Sequence, residues 1–225
     1  MTPADPLGEA HARRRNVRFW HAFIWLLIGA IVYAVALALA LLLYPDPKDA
    51  LAPVVGPSLY LTPLFGLPYL LVSARQRGWF RRVVYFTVLL SFAHIVANEL
   101  AWGYGVATFP LEPDPGDYLI HLATGAIGGF AGSALAFSLL IWTRLAPLTP
   151  TTRAISFFGI AALTALGALC MTYGLLMTEA LEQPIKPSRF VFWYLCVHLP
   201  WQAVFAFFAA WLMRLRASPP RWPAI

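Results

Sequence analysis

Twenty-five consecutive residues, Phe19–Leu43, pass without a single Asp, Glu, Lys or Arg. A helix of about 20 mostly apolar residues crosses the roughly 30 Å of hydrocarbon in a bilayer, so this run is long enough to span one. Five further runs follow, at about 51–74, 83–102, 118–142, 154–177 and 190–213. Hydrophobic residues make up 60% of the 225-residue chain and charged residues 12%, against about 45–50% and about 25% in ordinary soluble domains. One soluble core cannot absorb that excess. The composition excludes a disordered chain, a collagen-like fibre, a disulfide-rich secreted module and a soluble globular enzyme. The chain reads as an all-α integral membrane protein, a six-transmembrane-helix bundle.

The second run differs from the others because it contains Pro53, Pro57, Pro63 and Pro68. Each proline removes a backbone donor and crowds the preceding turn. A kinked span is expected there, packed against neighbours that serve the freed carbonyls, with Pro53 and Pro57 either within it or in the preceding loop.

Orientation follows from Lys and Arg, which are retained on the cytoplasmic side. Of the sixteen, thirteen fall on one side of the six-span pattern: Arg13, Arg14, Arg15 and Arg18, then Arg75, Arg77, Arg81 and Arg82, then Arg144 and Arg153, then Arg214, Arg216 and Arg221. The other side has Lys48, Lys186 and Arg189, with Asp46, Asp49, Glu99, Glu112, Asp114, Asp117, Glu179 and Glu182. Both termini are therefore expected in the cytoplasm, N-in and C-in, in a bacterial-type inner membrane. Residues 1–18 form a basic tail, 19–213 the membrane domain and 214–225 a Pro-rich tail. A cleaved signal peptide is the competing reading of the first run, which is too long for an h-region of about 7–15 residues. The formal charge of +6 marks topology and attraction to anionic lipid. No loop carries a nucleic-acid motif, so nucleic acid is not an expected partner.

Small residues let helix backbones approach in lipid, where no hydrophobic force drives them together. The fourth run contains two overlapping Gly-x-x-x-Gly pairs, Gly125/Gly129 and Gly128/Gly132, and is expected to be central. The first offers Ala30/Ala34/Ala38 and Ala36/Ala40; the fifth offers Gly159, Ala162, Ala165, Gly167 and Ala168. Trp20, Trp25, Trp79, Trp102, Trp142 and Trp211 lie near span ends, as an interfacial belt requires.

Ionisable side chains inside spans are costly and mark function by default. His94 lies about eight residues from the outer end of the third run, His121 about three into the fourth and His198 about eight into the sixth, all in the outer half at 1.5 Å per residue. Ser91, His94 and Asn98 share one helix face, while Glu99 turns away from it towards the outer interface. His198 shares a face with Gln202, with Tyr194 one turn earlier, and His121 lies near Thr124. Convergence of these faces predicts an outer-half polar pocket of His94, Asn98, Glu99, His121, His198 and Gln202. The competing reading is that each histidine hydrogen-bonds to a single neighbouring helix. His21 is expected at the interface, His11 in the tail. Cys170 and Cys196 read as packing thiols.

Motifs for nucleotide hydrolysis (Gly-x-x-x-x-Gly-Lys-Ser/Thr), zincin chemistry (His-Glu-x-x-His) and intramembrane serine proteolysis (Gly-x-Ser-Gly) are absent. Ser133 sits about fifteen residues in from the outer face, well below His94. No catalytic residues are assigned. As a cofactor, one haem b between His94 and His198 is the alternative to an unknown small molecule, although no run carries the paired histidines of ferric-reductase-like haem proteins.

Six spans, cytoplasmic ends, the Ala30/Ala34 spacing and an outer-half pocket resemble the plan of the vitamin-binding membrane subunits of energy-coupling-factor importers. The likeness covers layout, without a family motif, and it implies a small ligand and a partner ATPase module. The expected function is a non-catalytic binding or transport component. The alternatives are an assembly or packing subunit of a larger membrane complex, and a haem b redox protein. Expected partners are the lipid bilayer with either further membrane subunits or a second copy of the chain.

Overall fold

The structure is a computed structural model, and it describes residues 6–43, 56–108, 118–178 and 186–216. Among these residues there are helices and turns and no strand. Helix α1 is Pro6–Leu43, α2 Pro57–Tyr60, α3 Thr62–Val72 and α4 Trp79–Val83. A π-helical segment, Val84–Leu89, leads into α5, Leu90–Thr108, followed by α6 Tyr118–Trp142, α7 Pro150–Thr178 and α8 Pro187–Arg214. Among the described residues, five helical stretches are long and apolar enough to cross a membrane: Arg15–Leu43, Trp79–Gly105, Tyr118–Trp142, Pro150–Met177 and Pro187–Arg214.

Helix α1 shows the solvent it is built for. Phe19, Ala22, Leu26, Ala30, Tyr33, Leu37 and Leu41 recur at three- and four-residue spacing and are buried. On the opposite face Val17, Trp20, Ile24, Ile28, Ile31, Val35, Leu39 and Leu42 recur at the same spacing and are exposed. A water-soluble helix sets polar residues on that second stripe. A helix apolar on both faces belongs against protein on one side and lipid on the other.

The six-span expectation meets a shorter second element. Together α2 and α3 cover Pro57–Val72, below the length of the other five, and residues 51–55 of the predicted run, Pro53 among them, lie outside the described residues. Pro57 sits in the first turn of α2 and Pro68 inside α3. The chain breaks at Leu61, where Pro63 has no N–H for the carbonyl four residues back. The carbonyl of Ser58, next to the one that Pro63 leaves free, accepts from the hydroxyls of Tyr33 and Thr62, each at 3.1 Å. At this break, hydroxyls of the broken element itself and of α1 thus hold a backbone carbonyl.

Other boundaries shift modestly. The first helix begins at Pro6 rather than Phe19, because Ala, Arg and Glu in the basic tail favour helix. The predicted tail 217–225, Arg221, the acidic residues Asp46, Asp49, Glu112, Asp114, Asp117, Glu179 and Glu182, and Lys48 lie outside the described residues. Between α6 and α7 a short turn places Arg144 at φ 58, and Thr149 Oγ1 accepts the N–H of Thr152 at 3.1 Å, which caps α7 ahead of its first-turn Pro150.

The helices close into a ring in which α1 touches α3 and α8, α8 touches α7, α7 touches α6, α6 touches α5, and α5 with its π-helical segment returns to α3. Glycine decides how close α6 comes to its neighbours. Gly125 faces the Gly167 carbonyl of α7, and Gly129 faces Leu163 and Thr164. The second pair, Gly128 and Gly132, faces Ala101 and Ala97 of α5. Two glycine rows thus seat α6 between two helices. At the basic end the ring is filled by Phe65, Tyr85, Phe86, Phe137 and Phe205; beyond it, Tyr33, Leu37, Leu175, Phe190 and Trp193 form a second cluster. The Tyr85 hydroxyl donates to the Ala136 carbonyl at 3.0 Å, tying the π-helical segment to α6.

Candidate functional site

Between these two clusters lies a cavity of about 380 Å3, lined by residues of α3, α5, α6, α7 and α8. That size is within the range of small-molecule pockets, about 300–1,000 Å3. Its existence follows from the packing: the glycines of α6, with Gly167 of α7, contribute wall without side chains, so the ring leaves space where larger residues would fill it. The opposite wall is aromatic, with Trp193, Tyr194 and Trp201 of α8 and Phe65 and Phe205 towards the basic end.

Polar groups are few and grouped. His94 and Asn98 come from α5, His198 and Gln202 from α8, Thr62 from α3 and Thr124 from α6. The imidazoles of His94 and His198 stand edge to face with ring centroids 5.2 Å apart. His198 also stacks on Tyr194 at 5.5 Å and meets the Tyr33 ring edge-on at 5.8 Å. His94 Nδ1 lies 2.8 Å from Thr62 Oγ1, which is 3.1 Å from the Ser58 carbonyl. A hydroxyl has one proton. Both bonds form together only if Thr62 donates to Ser58 and accepts from His94 Nδ1–H, which leaves His94 Nε2 with its lone pair. The break in the second element therefore sets the tautomer of a histidine on the third.

Two further groups are incompletely satisfied. Gln202 is 7% exposed, and its side-chain oxygen is buried without a hydrogen-bond partner among the described residues. Trp193 is 8% exposed, and its indole N–H is in the same position. A buried acceptor or donor left unpaired costs about 1–3 kcal/mol, a cost that a bound molecule offering the complementary group removes.

Of the six residues expected to form a pocket, the structure brings His94, Asn98, His198 and Gln202 to one cavity. Glu99 is exposed on α5, because five residues of helix turn it well away from the His94 face, and it does not line the cavity. His121, half-buried one turn before Thr124, is likewise outside the lining. Ser91, on the expected face, bonds instead to the Thr87 carbonyl of its own helix at 2.9 Å. Thr62, Trp193 and Trp201 also line the cavity, beyond the residues expected from the sequence. Trp193 and Trp201 flank His198 on α8, and an aromatic residue on either side of an intramembrane histidine was the available signal. Trp102, assigned to the belt, also borders the cavity.

Cys170 and Cys196 are free thiols. The Ser133 hydroxyl bonds to its own helix at Gly129 and Phe130. Among the described residues no group of three or more His, Cys, Asp or Glu is placed to hold a metal ion. Two imidazoles on opposite faces of a metal, with bonds of about 2.0–2.1 Å, set their ring centres about 6 Å apart. The direct ring contact of His94 and His198 leaves no slot for a porphyrin plane, so these residues do not fit a bis-histidine haem. No protein family, curated protein or solved structure matches this chain.

Proposed function

We propose that the chain is a multi-pass membrane protein of the bacterial inner membrane type, with six spans and cytoplasmic termini, whose central cavity binds one small, largely apolar molecule as a binding or transport component. The observation that carries this reading is the cavity itself: space left by glycine, walled by aromatics, with His94 Nε2 and the Gln202 oxygen offering acceptors and the Trp193 indole a donor. The ligand class is a flat or compact organic molecule with at least one hydrogen-bond donor and one acceptor. In a low-dielectric site those bonds give selectivity, because a ligand lacking the groups leaves protein atoms unpaired.

Purification in mild detergent, followed by mass spectrometry and absorbance of whatever small molecule accompanies the protein, tests this. A stoichiometric compound that is lost from Gln202→Leu and His198→Phe supports it. An empty preparation, with no compound stabilising the wild type more than those variants, counts against it and favours an assembly role.

A further inference from the structure

The basic end of the bundle carries a second feature that the central cavity does not use. Gly78 adopts a left-handed conformation, φ 80, at the end of the turn between α3 and α4. The Arg216 guanidinium lies over this turn: a Cβ added at Gly78 would stand 3.2 Å from Nη1. From the other side Arg82, 7% exposed, donates through Nη2 to the carbonyls of Gln76 and Arg77 at 3.2 Å each. Its guanidinium is 5.9 Å from the centre of the Tyr69 ring, and its Nε is buried with no partner among the described residues. His21 packs its ring against the same Tyr69 at 6.4 Å.

Burial, and then the neighbouring guanidiniums of Arg81, Arg82 and Arg77, hold the Arg216 guanidinium below its ordinary pKa; the opposing influence is Tyr69. Four arginines thus converge on one turn, and no carboxylate among the described residues acts on Arg216. Such a gathering is destabilising by itself. A tetrahedral oxyanion relieves it, since guanidinium groups present paired donors matched to phosphate.

We propose that the Gly78 turn, with Arg82 and Arg216, is a binding site for a phosphate oxyanion, supplied by the headgroup of an anionic membrane phospholipid. The surroundings favour lipid over a soluble phosphate, because Leu71, Phe80 and Trp79 are exposed beside the turn and offer apolar surface to acyl chains. The site is remote from the central cavity and does not depend on what binds there.

The test is native mass spectrometry of the full-length protein in mild detergent, titrated separately with phosphatidylglycerol, phosphatidylcholine and inorganic phosphate. The wild type should retain phosphatidylglycerol more tightly than phosphatidylcholine. Arg216→Gln, which lies beyond α8 and disturbs no helix, should weaken that binding about fivefold, the effect of removing one basic residue at an anionic surface. Arg82→Gln should weaken it at least as much, and Arg153→Gln at the start of α7 should leave it unchanged. Binding of inorganic phosphate that is lost in Arg216→Gln, without preference between the lipids, would keep the oxyanion site and assign it to a soluble phosphate. Equal phosphatidylglycerol binding by the wild type and Arg216→Gln, or an equal loss in Arg153→Gln, overturns the proposal.

Discussion

Substituting alanine for single glycines tests whether the cavity wall is backbone against backbone. A Cβ added at Gly167 would stand 2.6 Å from the Gly125 carbonyl oxygen, about 0.8 Å inside ordinary contact at 3.4 Å. The atom it meets belongs to a helix backbone and cannot rotate aside, so α6 and α7 must separate. Overpacking of this kind costs about 1–3 kcal/mol, here at the upper end, while Ala gains up to about 1 kcal/mol over Gly in helix propensity. The net loss is about 2 kcal/mol, or about 4–8 °C in melting temperature for a chain of this length. Gly103 provides the control, since it is exposed with nothing within 4 Å of an added Cβ; Gly103→Ala should raise the melting temperature by about 2–4 °C. Gly132→Ala, with its nearest contact at 3.2 Å to the Ala97 methyl, should fall between them. Intrinsic tryptophan fluorescence on heating in detergent measures all three. If Gly167→Ala melts with Gly103→Ala, the two helices are not in backbone contact and the account of the cavity wall fails.

Thr62→Val removes the bond to His94 Nδ1 and one donor to the Ser58 carbonyl; it should destabilise by about 1–3 kcal/mol, while Thr62→Ser restores both the stability and the His94 Nδ1–H signal in nitrogen NMR. His198→Phe keeps the aromatic contacts with Tyr194 and Tyr33 but removes the ring nitrogens, so ligand occupancy should drop about tenfold with the melting temperature within about 2 °C of wild type; an equal fall in stability would mean that the ring's polar atoms serve folding. For topology, Arg75→Cys should react with a membrane-impermeant maleimide only in inverted vesicles and Ser188→Cys only in intact spheroplasts. Labelling of both from the same side would contradict the arrangement of spans.

Much of the candidate site was legible because polarity is scarce inside the apolar runs: with so few ionisable or amide side chains within them, His94, Asn98, His198 and Gln202 stand out by type and helical spacing. Helical period also explains why Ser91 was overvalued. It shares the His94 face, yet a hydroxyl can close on the carbonyl one turn back, an outcome that spacing does not exclude. Thr62 escaped notice because its importance comes from a proline break that brings it to a different helix.

The sequence by itself determined which segments are apolar enough to cross a membrane and which glycines lie on the two faces of α6, since both depend on local composition and the helical repeat. Only the tertiary structure decided that these faces meet α7 and α5 separately, that α1 closes the ring against α8, and that the residual space falls beside His94 and His198. Those outcomes depend on contacts between residues far apart in the chain, where one backbone's approach, as at Gly125 and Gly167, sets how much room remains for everything else.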